Sequence, residues 1–339
     1  MPNVNEAHKT MLAKYGIELK KELKACAIVK LLNRDYDIKV NAHLYNLLIK
    51  AIKNTSPYKI EIPFNVSFGV ELEFVGNKDY VKLAELAELS LHVVNHYPSD
   101  HNYHITLDYT HNYGDSWILG RDGSISTVDT DASFPFGFEL SSRKLNFFDQ
   151  KSIEEISNVI ALHKEYLNAK TNDSCGTHVH LGFALPQCDL KKQIGIRGVD
   201  IRNLLSAYSL MEKSVFDPIV PISRRRNRYC KSTSNRINEK YQKLSSRFCR
   251  INYDGDCTTL HFELRQLEGT LDVDTIIKWA TLQLYIIYDL LISLYNQNYD
   301  HVKEVIFKNI FEILIYYNYD KELVNFFIER AINFKSRTL

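Results

Sequence analysis

Apolar side chains recur every three to four residues in HKTMLAKYGIELKKELKACAIVKLL and NAHLYNLLIKAI, which predicts helices across residues 5–55. The pattern breaks in KNTSPYKIEIP, where Ser56-Pro57 and Pro63 mark a boundary. The chain therefore reads as an N-terminal helical extension, 1–62, followed by one domain over 63–339 that ends in helices. Past the boundary the period switches to two in VSFGVELEFVG. A helix is expected over 79–95, and a His/Tyr/Asn-rich polar stretch then runs to about 115, expected as a surface loop or a pocket lining. Strands are predicted at SWILG, FGFELSS, THVHLGF and TLHFELRQLE, with helices near 150–168, 198–218 and throughout 273–335. WATLQLYIIYDLLISLY is the most apolar long stretch, but it carries Gln283 and Asp289 and is short for a membrane span, so a buried helix is expected. The predicted fold class is α+β: a curved, mostly antiparallel sheet with one polar face and helices packed on the other.

The polar faces of these strands are unusual in kind. In FGVELEF, Phe68, Val70, Leu72 and Phe74 point one way, and Gly69, Glu71 and Glu73 the other. Neighbouring glutamates on one strand face lie roughly 6–7 Å apart. At an effective dielectric of about 20 they repel by about 2–3 kcal/mol. GFELSS adds Glu139, THVHLGF adds His178 and His180, and LHFELRQ adds His261, Glu263 and Arg265, with Leu260, Phe262, Leu264 and Leu267 covering much of the other side. A half-buried sheet normally has a wet side, but such sides favour Thr, Lys, Ser and Arg. These strands offer metal ligands instead. Carboxylate oxygens with at most one imidazole suit Mg²⁺ or Mn²⁺ better than Zn²⁺. The rival is CGTHVH, in which Cys175, His178 and His180 could hold zinc for a hydrolase; the bland reading of Cys175 is a small buried residue.

Bulk properties narrow the class. There are 42 Lys+Arg against 41 Asp+Glu, so no global field draws the chain to nucleic acid or lipid. MPNVNEAHKTMLAKYG has no apolar core and is not expected to be a signal peptide. Six cysteines without a CxxC pair suit a reducing cytoplasm. GxxxxGK[ST], GxSxG and GxGxxG are all absent.

The ordered set FGVELEF, WILGRDGSI, GFELSS, CGTHVHLGF, RRRNRYC and LHFELRQLEGTLD resembles the putative amidoligase family, over about residues 66–295. That family is a branch of the carboxylate–amine ligases with a glutamine synthetase/guanidino-kinase-like catalytic fold. The resemblance implies an ATP- and Mg²⁺-dependent ligase, with Mn²⁺ as a possible substitute. It would join a peptide or amino-acid-like carboxylate to an amine through an acyl phosphate. Glu71, Glu73, Glu139, Glu263 and one of His178 and His180 match its ligand positions. Glu73, Glu263 and Arg265 would carry the chemistry, Arg265 by stabilising the transferring phosphoryl group.

Arg224 and Arg226 in SRRRNRYC, and Arg250 in FCRINY, read either as solvated charges or as phosphate forks; the resemblance favours the second. Three departures stand out. His261 replaces a small polar residue and would contact nucleotide or fold away, Arg143 stands where proline is usual, and residues 1–60 have no counterpart. Asp122 in RDGS reads first as a turn residue and second as a catalytic one, Trp117 as core, and Asp272 or Asp274 as a helix cap. A non-catalytic binding protein and a phosphagen-type kinase are further readings on the same fold.

Overall fold

A computed structural model describes residues 56–77, 79–94, 103–106, 116–128, 135–184, 196–233, 248–253 and 259–336. The predicted helices of 5–55, and most of the polar stretch to 115, lie outside the described residues. The chain divides into two units, one of Pro63–Ile201 with Ser223–Leu284, the other of Arg202–Ile222 and Tyr285–Leu339 together with residues up to Ile62.

The first unit is built on an eight-stranded sheet. Its strands are β1 (Ser67–Asn77), β2 (Tyr103–Thr106), β3 (Trp117–Arg121), β4 (Pro135–Ser141), β5 (Leu145–Asn146), β6 (Gly176–Ala184), β7 (Ile251–Tyr253) and β8 (Thr259–Glu268). The order is β2-β3-β4-β1-β6-β8-β7, with β5 pairing the start of β1. Every pairing is antiparallel except β2 with β3. The fold is thus mixed α/β on a mostly antiparallel open sheet. One expectation changes: the polar stretch before Ser116 is not all loop, because β2 forms within it.

Strict alternation explains β1. Phe68, Val70, Leu72 and Phe74 are buried on one face, and Gly69, Glu71 and Glu73 turn to the other. The apolar face is covered by α2 (Gln150–Leu167), where the ring of His163 meets Phe74 edge-on at 5.8 Å. Asp149 caps that helix by accepting from the Lys151 amide, and Asn168 ends it in the left-handed region at φ 50°. His163 is a core histidine. Burial pushes its pKa down to about 4, and its Nδ1–H donates to the Val159 carbonyl at 2.7 Å. The helix α1 (Tyr80–Val94) packs beside α2.

In β8 the alternation slips once. Thr177 pairs with Leu267 and Val179 with Leu264, so Arg265 and Gln266 together oppose the single residue His178. This bulge returns Leu267 to the apolar side, as the sequence required, and leaves Arg265 on the polar side.

The remaining helices are α3 (Ile196–Met211), α4 (Ile222–Arg225), α5 (Val273–Tyr295), α6 (Tyr299–Ile306), α7 (Ile310–Tyr316) and α8 (Lys321–Ser336), giving eight α-helices among the described residues. Asp272 accepts from the Thr275 amide at 3.1 Å, the cap expected ahead of α5. α5 is long and apolar enough to cross a membrane by length and composition, yet Ile276, Trp279, Leu282, Gln283, Ile286, Asp289 and Leu290 are buried along it. In the second unit, buried Asp289 accepts from Tyr317 Oη at 2.8 Å and pairs with His301 Nε2 at 2.9 Å. A capping box of Asn309 and Glu312 starts α7.

Candidate active site

The strand registers bring together residues far apart in sequence. Glu73 stands directly opposite Glu139, Glu71 opposite His178, and His180 opposite Glu263. All use the face turned away from α2. His178 Nδ1–H donates to Glu71 Oε2 at 2.7 Å, and its Nε2 lies 3.4 Å from Glu73 Oε1. His180 Nε2 is 3.3 Å from Glu71 Oε1, and its Nδ1 shares a 3.1 Å hydrogen bond with His261 Nε2. Glu263 Oε1 pairs with the Arg265 guanidinium, and Oε2 accepts from Asn252 Nδ2 at 3.0 Å. Glu73 Oε2 accepts from the Gly176 amide at 2.5 Å.

The electrostatics follow from this crowding. Burial alone would raise the Glu71 carboxyl, but the charge of His180 and the His178 hydrogen bond hold it well below the usual range. At Glu139 the balance goes the other way, and the charge of Arg265 is outweighed. Burial first, then the charges of Glu71, Glu73 and Asp122, push Glu139 well above the carboxylate range. Glu263 is held low by Arg265 against the effect of burial. Among the described residues, three sets of donors come within 4.8 Å of one another: Glu71/Glu139/His178, Glu71/His180/Glu263 and Glu73/Asp122/Glu139. The buried Nε2 atom of His178 has no hydrogen-bond partner. Carboxylate-rich sets with an imidazole lone pair left over fit a hard divalent cation, Mg²⁺ or Mn²⁺.

The zinc triad is not assembled. Cys175 joins none of these sets among the described residues. It packs with Val75 and Ile125, and burial pushes its thiol up to about 11, the small buried residue of the bland reading.

Above the carboxylates lies a cavity of about 850 Å³. Glu71, Glu73, Glu139, His180, His261, Glu263 and Arg265 line it. His178 lies beneath, 1% exposed. The three arginines expected on phosphate are not part of this lining. Arg224 is buried, donating through Nη2 to the Arg265 carbonyl at 2.5 Å, with its guanidinium against Gly176. Arg250 is buried and reaches the Arg225 carbonyl at 3.4 Å, and Arg226 is exposed. The cavity's own cations besides Arg265 are Arg121, Arg143 and Lys144. Arg143, at the position where proline was expected, forks Glu155 with Nε at 2.8 Å and Nη2 at 2.5 Å. Trp117 is core, and its Nε1–H donates to the same carboxylate at 2.7 Å.

One site residue escaped the reading of the sequence. Asn252, in RINY, carries no signal in its neighbours. Asp122 does form the expected turn, its Oδ1 accepting from the Ser124 amide at 2.7 Å, yet it also joins Glu73 and Glu139. That turn lies against Gly137, where an added Cβ would sit 2.4 Å from the Asp122 carbonyl oxygen and 2.9 Å from Ile125 Cβ. Gly137→Ala is expected to cost about 1–3 kcal/mol, read as a lower urea midpoint at unchanged slope. Gly123→Ala, which meets nothing within 4 Å, is the control expected to stay near wild type.

No curated protein matches the chain. A family model described as putative amidoligase enzyme matches residues 65–287, about two-thirds of the chain and all of the strands just described. The chain belongs to the putative amidoligase family.

Proposed function

We propose that this protein is an ATP- and Mg²⁺-dependent carboxylate–amine ligase that works on a peptide or amino-acid-like acid in a reducing cytoplasm, with its sheet acting as a glutamine synthetase-like catalytic platform. The observation that carries the reading is the meeting of Glu71, Glu73, Glu139 and Glu263 with two histidines and Arg265 on one cavity-lining sheet face. In this chemistry the γ-phosphoryl group of ATP passes to the acid, ADP leaves, and the amine displaces phosphate to give the amide. Bound Mg²⁺, or Mn²⁺, would supply positive charge between phosphate and carboxylate oxygens.

The residues would divide the work by position. Glu71, Glu73, Glu139 and Glu263, with an imidazole, would hold the cations. The Gly176 amide fixes Glu73, and Asn252 and Arg265 fix Glu263, so these carboxylates are oriented before any ligand arrives. The Arg265 guanidinium would face the transferring group as charge builds on its oxygens. Tyr229, Phe248 and Tyr253, on the β7/β8 side of the cavity, offer rings for a nucleobase.

Purified protein is expected to release ADP and phosphate only when both a carboxylate and an amine are present. EDTA should stop the reaction, and Mg²⁺ or Mn²⁺ should restore it. Because Glu139 is held above its usual range, titrating Mg²⁺ into apoprotein should also release protons, visible by calorimetry in buffers of different ionisation heat. ADP release driven by a guanidine with no amide formed, or stoichiometric tightly held zinc, would overturn the reading.

A further inference from the structure

The run SRRRNRYC touches the acidic centre from behind. Its arginines stay out of the cavity lining, and only Tyr229 of the run reaches it. Side chains alternate along a strand, so Gly176 lies on the same face of β6 as His178 and His180. Gly176 has nothing to project there, and the Arg224 guanidinium takes the place. An added Cβ would meet Nη2 at 2.6 Å, Nη1 at 2.8 Å and Cζ at 2.9 Å. The amide of this same glycine donates to Glu73, one residue past the last β1/β6 pair, Leu72 with Thr177.

Arg265 is gripped at two points by the same segment. Arg224 Nη2 donates to the Arg265 carbonyl at 2.5 Å, and Arg265 Nε donates to the Tyr229 carbonyl at 3.1 Å. The turn between them is braced by Asn227. Its amide donates to the Arg224 carbonyl at 3.3 Å, and its side chain accepts from the Tyr229 amide at 2.7 Å. The held carbonyl belongs to the bulge of β8, where the regular ladder is interrupted. Arg224 is 2% exposed, its Nε has no hydrogen-bond partner, and no carboxylate pairs with it among the described residues. A buried guanidinium without an ion pair is a poor way to stabilise a fold. What it does touch is the backbone that carries Arg265 and the glycine that holds Glu73.

We infer that the Arg224–Tyr229 segment is a positioning clip. Arg224 fills the place left open at Gly176 and holds the β8 bulge, and so sets the direction of Glu73 and Arg265 before any ligand arrives. Arg224 is then a positioning residue that acts through these two side chains, not a phosphate fork. This rests on the ligase reading, in which Glu73 holds a cation and Arg265 faces the phosphoryl group.

The test separates position from charge. Mn²⁺ binding to the ligand-free protein is followed by electron paramagnetic resonance, at a temperature where each variant is fully folded. Arg224→Lys keeps the charge and loses the planar fork, and is expected to weaken Mn²⁺ binding about tenfold. Gly176→Ala keeps Arg224 but drives its guanidinium from its place, and should weaken binding similarly. In an Arg224→Ala background, adding Gly176→Ala should cost no further affinity, because the place is already empty. At saturating Mg²⁺, a fluorescent N-methylanthraniloyl ATP should bind Arg224→Lys within about twofold of wild type. Wild-type Mn²⁺ affinity in both single variants, even with a lowered thermal midpoint, would reduce Arg224 to a structural residue and overturn the clip. So would a Gly176→Ala loss that is equally large without Arg224, or a tenfold loss of nucleotide affinity in Arg224→Lys, the mark of a phosphate fork. All three leave the ligase reading intact. Wild-type protein that binds no Mn²⁺ would remove the metal-dependent reading and the clip with it.

Discussion

Glu263→Gln is expected to lower ADP release at least a thousandfold while the protein still folds. The carboxylate of Glu263 is the point where three neighbours meet. Arg265 and Asn252 each take one oxygen, and His178 Nδ1 lies 3.6 Å from Oε1. Gln has the same shape, so packing is retained. Its amide removes the charge and must set either an NH₂ against Arg265 or its oxygen away from Asn252. A thousandfold loss corresponds to about 4 kcal/mol of transition-state stabilisation. Breaking a buried ion pair costs a comparable 3–5 kcal/mol of folding stability. The two effects are separable, because the first appears in kcat at a temperature where the variant is fully folded and the second in the thermal midpoint. Glu73→Gln should lose activity similarly with less effect on stability, since the Gly176 amide can still donate to the side-chain oxygen. Activity within tenfold of wild type in both variants, with folding intact, would show that these carboxylates do not form the reacting centre.

Much of this centre was legible because a strand face is a local property. Two-residue alternation in FGVELEF and LHFELRQ is enough to put Glu71 with Glu73 and Glu263 with Arg265. That these pairs meet was an inference from charge, since unshared carboxylates repel; the registers then showed Glu73 facing Glu139 and His180 facing Glu263. What depends on packing was not legible. A run such as SRRRNRYC does not reveal which guanidinium turns inward, and here Arg224 is buried against a strand glycine, while Arg226 is exposed. The use of Arg143 could not be read either, because Glu155 lies on a helix whose docking fixes the pair. Asp122 met its local rule, the turn, while its place beside Glu73 and Glu139 depends on packing.

Arg265→Lys is expected to lower kcat at least a hundredfold, even though it keeps the positive charge. The side chain does two things at once: Nε–H donates to the Tyr229 carbonyl at 3.1 Å, and a terminal nitrogen pairs with Glu263. A planar fork reaches both from one position and still presents N–H groups to the cavity, whereas an ammonium is a single point that follows Glu263 alone. A hundredfold loss is about 2.7 kcal/mol, the scale of one misplaced charge-stabilising donor. Stability reports the pairing separately. Arg265→Met leaves the Glu263 carboxylate buried without its cation and should be the least stable variant. Adding Glu263→Gln to it should recover part of the loss, because the stranded charge is then gone. If Arg265→Lys instead works as well as wild type, the site needs only charge at this position, and the bulge in β8 that points Arg265 into the cavity has no part in catalysis.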